Sequence, residues 1–322
     1  MFDPPNPPQD NVASALPFGQ PRHGGNPNVY VATSGVPVPR PRVPAPVNTA
    51  PPIWLLGDPV NHSLSPRFQN AALRHLGLPN TYRTRHTPAS ELADAVDAIR
   101  RGVAMGANVT LPHKRAVGAH LDGLATLATR AGAVNTIVAE GERLTGHNTD
   151  VTGLLRALSR WFVEGSPRTA LLLGAGGAAR GALLALERLG VEEVWIANRT
   201  SDAARALARE LDTDMALHVG RARCDLVIHT TSLGVGTVPD TAEHHKAAEV
   251  WSDTPWAPWV YDVCYSAEGP TPFLAAAHAA GVTHRLDGLT MLVHQGADSL
   301  ELWTGQPAPR ELMLDAVGVG DD

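Results

Sequence analysis

The run Thr169-Ala170-Leu171-Leu172-Leu173-Gly174-Ala175-Gly176-Gly177-Ala178-Ala179 decides the fold class of this chain. Its first five residues make a short apolar segment that is typical of a buried strand, and glycines follow at once. Ala182 to Leu189 then predict a helix, and Val194 to Ala197 predict the next strand. This order of strand, glycine turn, helix and strand is typical of a doubly wound parallel sheet. The sequence therefore predicts an α/β protein with a Rossmann-type region.

The glycine turn has the pattern G-x-G-x-x-A, which suits a bound pyrophosphate. Gly174 allows the tight turn, Gly176 lets the backbone approach the pyrophosphate, and Ala179 keeps the helix close to the strand. The helix that follows points its first N–H groups at the anion. A purely structural turn between strand and helix is the alternative. The predicted cofactor-binding residues of the turn are Gly174, Ala175, Gly176, Gly177 and Ala178.

The end of the second strand indicates which dinucleotide binds. An NAD-selective site has Asp or Glu at this place, where it bonds the ribose 2′-hydroxyl. Here the chain has Asn198-Arg199-Thr200. A guanidinium can pair with a 2′-phosphate, so we expect NADP, with these three residues at its adenosine end. Arg199 could instead be an ordinary solvated arginine at a helix start, and Asp202 nearby leaves some use of NAD open.

Composition excludes several functional classes. The 322 residues suffice for two globular domains. With 26 Lys and Arg against 32 Asp and Glu, the formal net charge of −6 provides no basic field for nucleic acid or an anionic membrane. No apolar run approaches the roughly 18 residues that span a bilayer, and two cysteines are too few for a disulfide scaffold. We expect a cytoplasmic protein without nucleic-acid or membrane partners, and the sequence leaves monomer and homodimer open.

Residues 1–52 differ from the rest of the chain. Prolines recur there, and periodic apolar residues are absent. Such a segment cannot bury enough apolar surface to offset its ordering entropy, so we expect a disordered Pro-rich tail. A transit peptide or a mis-assigned start codon would look similar. Folding is predicted to begin at Ile53.

Polar residues gather at predicted strand ends between Ile53 and Asp150. The clusters are Ser63-x-Ser65, Asn108-Val109-Thr110 with Lys114, and Asn148-Thr149-Asp150, with Asn135 between the last two. Ser65 is also the predicted N-cap of a helix. The chain has 24 arginines and only two lysines, Lys114 and Lys246. A lysine that is retained in so arginine-rich a chain is a candidate functional residue. The histidines show no metal-ligand spacing, and we expect no metal.

These motifs, in this order, resemble the shikimate dehydrogenase family over roughly residues 53–305. The matching segments are Gly57-x-Pro59 through Ser63-x-Ser65-Pro66, Gly106-Ala107-Asn108-Val109-Thr110-x-Pro112-x-Lys114, Gly132-Ala133-Val134-Asn135-Thr136, Gly146-x-Asn148-Thr149-Asp150-x-x-Gly153, Gly174-Ala175-Gly176-Gly177-Ala178, Asn198-Arg199-Thr200, Tyr261-Asp262 with Tyr265, and Asp287-Gly288-Leu289 with Met291 and Gln295. The resemblance implies that shikimate and NADP⁺ are interconverted with 3-dehydroshikimate and NADPH, a step of chorismate and aromatic amino-acid biosynthesis.

The resemblance also implies roles for individual residues. Lys114 would act as acid/base, while Asp150 would bond a substrate hydroxyl and fix the ammonium. The implied substrate-binding residues are Ser63 and Ser65 for the carboxylate, Asn135, Thr110 and Gln295 for the ring hydroxyls, and Tyr265. The further cofactor-binding residues are Thr231, Ser232, Gly288 and Met291. Ser65, Asn135 and Gln295 each have a bland alternative, as a helix cap, a turn residue and a surface residue.

We expect two domains with the active site in the cleft between them. Residues 53–150 with 288–322 would form the substrate-binding catalytic domain, and residues 151–287 the NADP-binding Rossmann domain. Two rival functions stay open. One is a quinate/shikimate dehydrogenase of broader substrate or cofactor range, and Ser63-x-Ser65 argues mildly against it. The other is a catalytically idle NADPH-binding sensor, which could lose the Lys114–Asp150 pair without consequence.

Overall fold

The computed structural model describes residues 29–31, 37–39, 50–162, 165–231, 233, 251, 253–266 and 269–319. The chain divides into two units, residues 1–47 and 48–322. In the first unit, strand β1 (Val29–Val31) pairs antiparallel with β2 (Pro37–Pro39). Most of the proline-rich tail predicted over residues 1–52 lies outside the described residues. Its disorder therefore stays a prediction.

A mixed sheet opens the second unit. Its strands run in the order β4-β3-β5-β7-β8-β6. The first three are parallel, whereas β7 is antiparallel to both β5 and β8. The carboxyl ends of β3 and β5 therefore open onto the same edge, where the predicted polar clusters begin. The strands are β3 (Ile53–Gly57), β4 (Tyr82–His86), β5 (Gly106–Val109), β6 (Gly123–Leu124), β7 (Thr136–Glu140) and β8 (Arg143–His147).

A parallel sheet of six strands follows, in the order β11-β10-β9-β12-β13-β14. Counted from β9, this is the order 3-2-1-4-5-6 of a doubly wound dinucleotide-binding sheet, with the switch point between β9 and β12. The predicted fold class is confirmed. The strands are β9 (Thr169–Leu173), β10 (Glu193–Ala197), β11 (Ala216–Val219), β12 (Leu226–His229), β13 (Trp259–Asp262) and β14 (His284–Leu286).

Nine α-helices lie in the described residues, and none of these helices is long and apolar enough to cross a membrane. The helices are α1 (Ser65–His75), α2 (Leu92–Arg100), α3 (Thr126–Ala131), α4 (Asp150–Ser159), α5 (Gly177–Leu189), α6 (Ser201–Glu210), α7 (Pro272–Ala279), α8 (Leu289–Thr304) and α9 (Arg310–Asp315). Short 3₁₀ turns occur at Ala89–Glu91 and Val117–His120.

Helix α8 follows the last strand of the parallel sheet, yet it packs on the mixed sheet. Its Trp303 Nε1 donates to the carbonyl of Ile137 on β7 at 2.9 Å. Gly106 makes this approach possible, because a Cβ at that position would lie 2.6 Å from the Trp303 ring nitrogen. Helix α4 buries Val151 and Leu154 in one apolar cluster with α5. Since Gly153 also lets α4 pack against α8, helix α4 joins the two halves of the unit.

Candidate active site

Lys114 and Asp150 form an ion pair between the turn after β5 and the start of α4. Lys114 lies in the turn after β5, and Asp150 is the first residue of α4. Lys114 Nζ donates to Asp150 Oδ2 at 2.6 Å, and the two side chains are 16% and 6% exposed. A carboxylate in the first turn of a helix also interacts favourably with the helix dipole. The structure thus brings together the two residues that sequence analysis assigned to proton transfer.

Asn135 orients the second oxygen of Asp150. Its Nδ2 donates to Asp150 Oδ1 at 2.8 Å, and its Oδ1 accepts the backbone N–H of Thr149 at 2.8 Å. Because a backbone N–H can only donate, the direction of the Asn135 amide is fixed. Asp150 is therefore held from one side by an ammonium and from the other by an amide. This leaves the pair little freedom to rotate.

A buried hydrogen-bond network continues beneath this pair, and sequence analysis did not predict it. Asn108 Nδ2 donates to the Asn135 carbonyl at 3.1 Å and to Ser299 Oγ at 3.0 Å. Ser299, on α8, also lies 2.8 Å from Thr136 Oγ1 and 3.1 Å from Thr149 Oγ1. Ser299 and Thr136 are fully buried. One helix and three strand ends are thus tied together by side chains far apart in sequence.

The predicted carboxylate-binding serines lie beside two tyrosines. The Ser63 hydroxyl accepts the backbone N–H of Ser65 at 3.2 Å, and Tyr265 Oη accepts that of Leu64 at 3.4 Å. Tyr82 donates to Asn108 Oδ1 at 2.8 Å and also hydrogen-bonds Ser65. Burial raises the pKa of Tyr82, so the phenol stays a donor. The buried network therefore runs from the serines to Asp150.

The predicted N-cap role of Ser65 is wrong. Helix α1 begins at Ser65 itself, Leu64 is the cap residue, and no side chain caps the first turn. Pro66 explains this start, because the proline ring suits the first turn of a helix and has no N–H to satisfy. The Ser65 hydroxyl is consequently available to Tyr82 and to the site rather than to the helix.

Gln295 is buried, not a surface residue. Its Oε1 lies 3.2 Å from Asn135 Nδ2, and its Nε2 donates to the carbonyl of Leu292 at 2.7 Å. Met291, one turn earlier on α8, is buried beside α4. Thr110 is half-buried at the end of β5, and its methyl group packs over Gly57. Gln295 therefore meets the Asn135 amide, and Thr110 lines the same strand edge.

The glycine turn lies against the Lys114–Asp150 pair. Gly174 has φ +123°, a conformation that favours glycine, and a Cβ there would lie 2.5 Å from Thr230 Oγ1. Helix α5 begins at Gly177, not at the predicted Ala182, because Gly176 takes the extended cap conformation. A Cβ at Gly177 would lie 3.4 Å from Lys114 Cβ, and one at Gly181 would lie 3.4 Å from Asp150 Cβ. The first turn of α5 is thereby placed beside the ion pair.

Arg199 follows β10 at the outer end of the same edge. It is exposed and pairs with none of the residues that the structure describes. Asn198 Nδ2 donates to Thr200 Oγ1 at 3.0 Å, which stiffens the turn around it. Asp202 is paired with Arg205 at 2.8 Å. The guanidinium of Arg199 is thus unengaged, while the nearby carboxylate is not.

Three family models match the chain. They describe the shikimate dehydrogenase substrate binding domain over residues 55–137, shikimate / quinate 5-dehydrogenase over 158–233, and the shikimate 5′-dehydrogenase C-terminal domain over 288–317. A shikimate dehydrogenase (NADP⁺) of Moorella thermoacetica is 39% identical over 275 residues, 81% of this chain and 90% of that protein. This chain belongs to the shikimate dehydrogenase family.

Solved structures of the family have the same architecture. The shikimate 5-dehydrogenase of Thermus thermophilus, in complex with NADP(H) and shikimate, is 37% identical, with a TM-score of 0.70 over 83% of this chain and 98% of that chain. The ligand-free 5-ketofructose reductase of a Gluconobacter species is 31% identical, with a TM-score of 0.69 over 83% of this chain and 98% of that chain. The same fold thus occurs in proteins named as a shikimate 5-dehydrogenase and as a 5-ketofructose reductase.

The remaining residues that the family resemblance implied lie along the parallel sheet. Thr231 follows β12, and a Cβ at Gly174 would lie 3.1 Å from its methyl carbon. Gly288 precedes α8 and is packed against the carbonyl of Val263, where a Cβ would clash. Burial raises the pKa of the neighbouring Asp287 carboxyl. Ser232 lies outside the described residues, so its predicted role stays a prediction.

Proposed function

We propose that this shikimate dehydrogenase family member interconverts shikimate and NADP⁺ with 3-dehydroshikimate and NADPH. The observation that carries the proposal is the Lys114–Asp150 pair at 2.6 Å, placed beside the first turn of α5. Reducing a ring ketone requires a proton donor at the forming alkoxide, and this pair is the donor that the site offers. An idle sensor on the same fold would not need it.

The residues of the parallel sheet fit NADP. Gly176 opens onto free space, since a Cβ there would meet no heavy atom within 4 Å, and it precedes the N–H groups of α5 that would hold the pyrophosphate. The unengaged Arg199 would pair with the 2′-phosphate, with Asn198 and Thr200 shaping its turn. Gly174, Ala175, Gly177 and Ala178 complete the turn. When bound, this cofactor supplies hydride transfer at the nicotinamide ring.

Lys114 and Asp150 divide the work at the reacting oxygen. During reduction, the Lys114 ammonium would give a proton to the forming alkoxide and become a neutral amine. During oxidation, that neutral amine would take the proton from the substrate hydroxyl and become the ammonium again. Asp150 Oδ2 holds the ammonium, and Oδ1 is held by Asn135, so the carboxylate keeps its direction while the proton moves. The same carboxylate would accept a hydrogen bond from a neighbouring substrate hydroxyl. Such fixed geometry is what proton transfer at a positioned group requires.

The substrate-binding roles follow the two ends of the buried network. Ser63 and Ser65, with Tyr265 beside them, would hold the carboxylate through hydroxyl donors. Asn135, Thr110 and Gln295 would bond the ring hydroxyls, and Met291 and Gly288 would line the nicotinamide side, with Thr231 and Ser232 following β12. What supports these roles is that the two serines and Lys114 lie at opposite ends of one connected set of hydrogen bonds.

A spectrophotometric assay tests the proposal. The purified chain is given shikimate or quinate together with NADP⁺ or NAD⁺, and the formation of reduced cofactor is followed. In the reverse direction it is given 5-ketofructose with NADPH, and the loss of reduced cofactor is followed, while calorimetry measures NADPH binding. We expect shikimate with NADP⁺ to have the highest kcat/KM. A preference for quinate would favour the broader quinate/shikimate enzyme, and reduction of 5-ketofructose alone would favour the activity named for the Gluconobacter relative. Binding of NADPH without turnover of any of these would leave the sensor.

We also propose the division into a catalytic domain of residues 53–150 with 288–322 and a Rossmann domain of residues 151–287. Three of the four buried apolar clusters each lie within one of these domains, which supports the division. The fourth cluster, around α4 and α5, also includes Ala131, Ala133 and Met291 of the catalytic domain. Cytoplasmic location is supported by two free thiols, Cys224 and Cys264. Monomer and homodimer remain the two candidates for the oligomeric state, and light scattering of the purified chain would decide between them.

A further inference from the structure

His229 is a buried histidine with no place in the proposed proton transfer. It ends strand β12 and is fully buried. Its Nδ1 lies 2.8 Å from Asp262 Oδ1, at the end of β13, and its Nε2 lies 2.5 Å from Thr231 Oγ1. Phe273 stacks on the ring at 4.6 Å between centroids. The ring is therefore fixed both in its plane and across its face.

The partners of Asp262 settle the proton positions. Asp262 Oδ1 also accepts the backbone N–H of Cys264 at 3.0 Å, and Oδ2 accepts the hydroxyl of Thr271 at 2.5 Å. A carboxyl group with these donors is an acceptor throughout, so His229 donates to it from Nδ1. On the other side of the ring, Nε2 faces Thr231 Oγ1, which also accepts the backbone N–H of Leu233 at 3.2 Å.

His229, Asp262 and Cys264 place three possible metal-ligand atoms within 4.8 Å of one another. Their hydrogen bonds argue against a metal there. The Asp262 oxygens serve three donors, and Cys264 Sγ donates to the carbonyl of Thr231 at 3.2 Å. Burial also raises the pKa of the Cys264 thiol, which disfavours the thiolate that a metal requires. The cluster is a set of hydrogen bonds that joins the ends of β12 and β13.

This set of hydrogen bonds is connected to the glycine turn through two threonines. Thr231 Cγ2 would lie 3.1 Å from a Cβ at Gly174, and Thr230 Oγ1 would lie 2.5 Å from it. Thr230 also donates to the carbonyl of Leu173, the last residue before the turn, at 3.0 Å. The segment after His229 therefore forms the wall against which Gly174 takes its positive φ. Moving this wall would move the backbone that is to face the pyrophosphate.

We propose that His229 is a positioning residue for NADP. This positioning role rests on the proposed function only because NADP is taken as the cofactor. The bond to Asp262 aligns the ends of β12 and β13, and the bond to Thr231 holds that side chain against Gly174. His229 touches no substrate or cofactor atom in this proposal, because its ring is enclosed by Asp262, Thr231 and Phe273. Its effect should fall on cofactor affinity rather than on proton transfer.

The test measures NADP⁺ binding directly, by calorimetry without shikimate, together with both KM values. His229→Leu keeps much of the ring's volume but loses both hydrogen bonds, and we expect NADP⁺ affinity to fall by about tenfold. His229→Asn places an amide nitrogen near the Nδ1 position and can keep the bond to Asp262. Because it loses the bond to Thr231, it should bind NADP⁺ roughly threefold more weakly than the wild type. The KM for shikimate should change less than twofold in both variants.

His218→Leu is the matched control. His218 lies on β11 of the same sheet, is partly exposed, and contacts Glu193 at 3.5 Å and the ring of Trp195, away from the turn. Its NADP⁺ affinity should be that of the wild type. The proposal is overturned if His229→Leu folds and binds NADP⁺ as tightly as the wild type. Should His229→Leu not fold, His229→Asn decides. A roughly threefold increase in the KM for NADP⁺ alone supports the positioning role, and an unchanged KM for NADP⁺ overturns it.

The two proposals can fail separately in this experiment. A wild type that binds NADP⁺ but does not oxidise shikimate contradicts the proposed substrate, while the comparison of His229 variants still stands. A wild type that oxidises shikimate, with variants that bind NADP⁺ normally, contradicts the positioning role alone. A lower melting temperature together with equal increases in the KM for NADP⁺ and the KM for shikimate would mean that the histidine is purely structural. That result would also overturn the positioning role.

Discussion

The two halves of the active site are built differently. On the mixed-sheet side, polar side chains hold one another, as when Asn135 bonds Asp150 and Ser299 bonds Asn108. On the parallel-sheet side, the described residues offer backbone at Gly174 and Gly176 and the exposed side chain of Arg199, which has no partner among them. The first half has its hydrogen bonds in place already. The second half offers N–H groups and open space that only a ligand would use.

This difference follows from what each half must recognise. A small polyhydroxylated ring needs directional donors and acceptors, and buried side-chain networks can fix them because every group is satisfied before the ligand arrives. A pyrophosphate is recognised through backbone N–H groups at the start of a helix. Such recognition depends on how closely the backbone can approach the phosphate oxygens, more than on side chains. Single substitutions should therefore alter the rate through the mixed-sheet half and cofactor affinity through the parallel-sheet half.

The largest expected effect lies in the mixed-sheet half, at Lys114. Lys114→Arg keeps the charge but replaces an ammonium that can exchange a proton with a guanidinium that cannot. The larger side chain also faces Gly177 at close range. We expect kcat to fall by roughly 10²–10⁴-fold, with NADP⁺ binding and the melting temperature retained. Steady-state kinetics with a binding assay checks this.

Lys246→Arg is the control for this prediction, since Lys246 is the other lysine of the chain and lies outside the described residues. It should leave kcat unchanged. Near-normal turnover by the Lys114→Arg enzyme would remove lysine from the proton-transfer role. It would also remove the main chemical contrast between the two halves.

In the parallel-sheet half, Arg199→Ala should act on the cofactor alone. The guanidinium is exposed and unengaged within the described residues, so its removal disturbs no internal bond. Loss of a charge-assisted contact to the 2′-phosphate should weaken NADP⁺ by roughly 1.5–3 kcal/mol, with little effect on NAD⁺. KM values for both cofactors measure this. Equal losses for NADP⁺ and NAD⁺ would instead indicate an arginine that supports the turn.

The sequence was most informative where chemistry requires neighbouring residues. The glycine turn and its flanking strands could be predicted because phosphate binding needs Gly174 and Gly176 at fixed spacing on one strand and helix. Lys114 and Asp150 could be selected because family motifs contain them. The start of α5 could not be predicted, since glycine is a poor helix former and no local pattern marks Gly177 as the first helical residue.

The supporting groups could not be found from sequence. Ser299 is 191 residues away from Asn108, and no local pattern distinguishes it from any other serine on an amphipathic helix. His229 ends an apolar run, and only the pairing of β12 with β13 brings it to Asp262. The one indication of such groups in the sequence was that polar residues stand at the ends of the predicted strands. Long-range pairing of that kind is decided by topology and packing.

A histidine on α8 tests whether the mixed-sheet half is as well satisfied as its network implies. Within the described residues, neither ring nitrogen of buried His294 has a hydrogen-bond partner. Burial lowers its pKa from 6.5 to about 4, and the positive charges of Arg310, Arg156 and Arg160 act in the same direction. Asp298 opposes them with a smaller effect that raises the pKa. The unfolded chain therefore binds this proton first as the pH falls.

The free energy of unfolding should consequently decrease as pH drops from about 6.5 to about 4, since the folded state stays unprotonated there. Solvent screening of the arginines reduces the contribution to about 2 kcal/mol. Denaturant melts at pH 8 and pH 4.5 give the change in the free energy of unfolding for the wild type and for His294→Leu. Subtracting one change from the other removes the effect of the carboxyl groups, which both proteins share. Parallel pH profiles for the two proteins would mean that a bound water satisfies the ring.

The smallest expected effect is that of Ser299→Ala, and it separates positioning from stability. Ser299 bonds Asn108, Thr136 and Thr149, yet each of these has a second partner, so the fold should persist. Losing one net hydrogen bond, about 1 kcal/mol, should lower kcat by roughly fivefold with the KM for NADP⁺ unchanged.

Thr304→Val supplies the matched comparison for this change. Thr304 lies on the same helix and donates to Leu300 in the way that Ser299 donates to Gln295, both four residues back, but it touches none of the network. It should lose comparable stability and keep its kcat. If both variants turn over alike, the buried network beneath Asn135 serves only to hold α8 on the sheet. The two halves of the site would then differ in composition but not in how they govern the reaction.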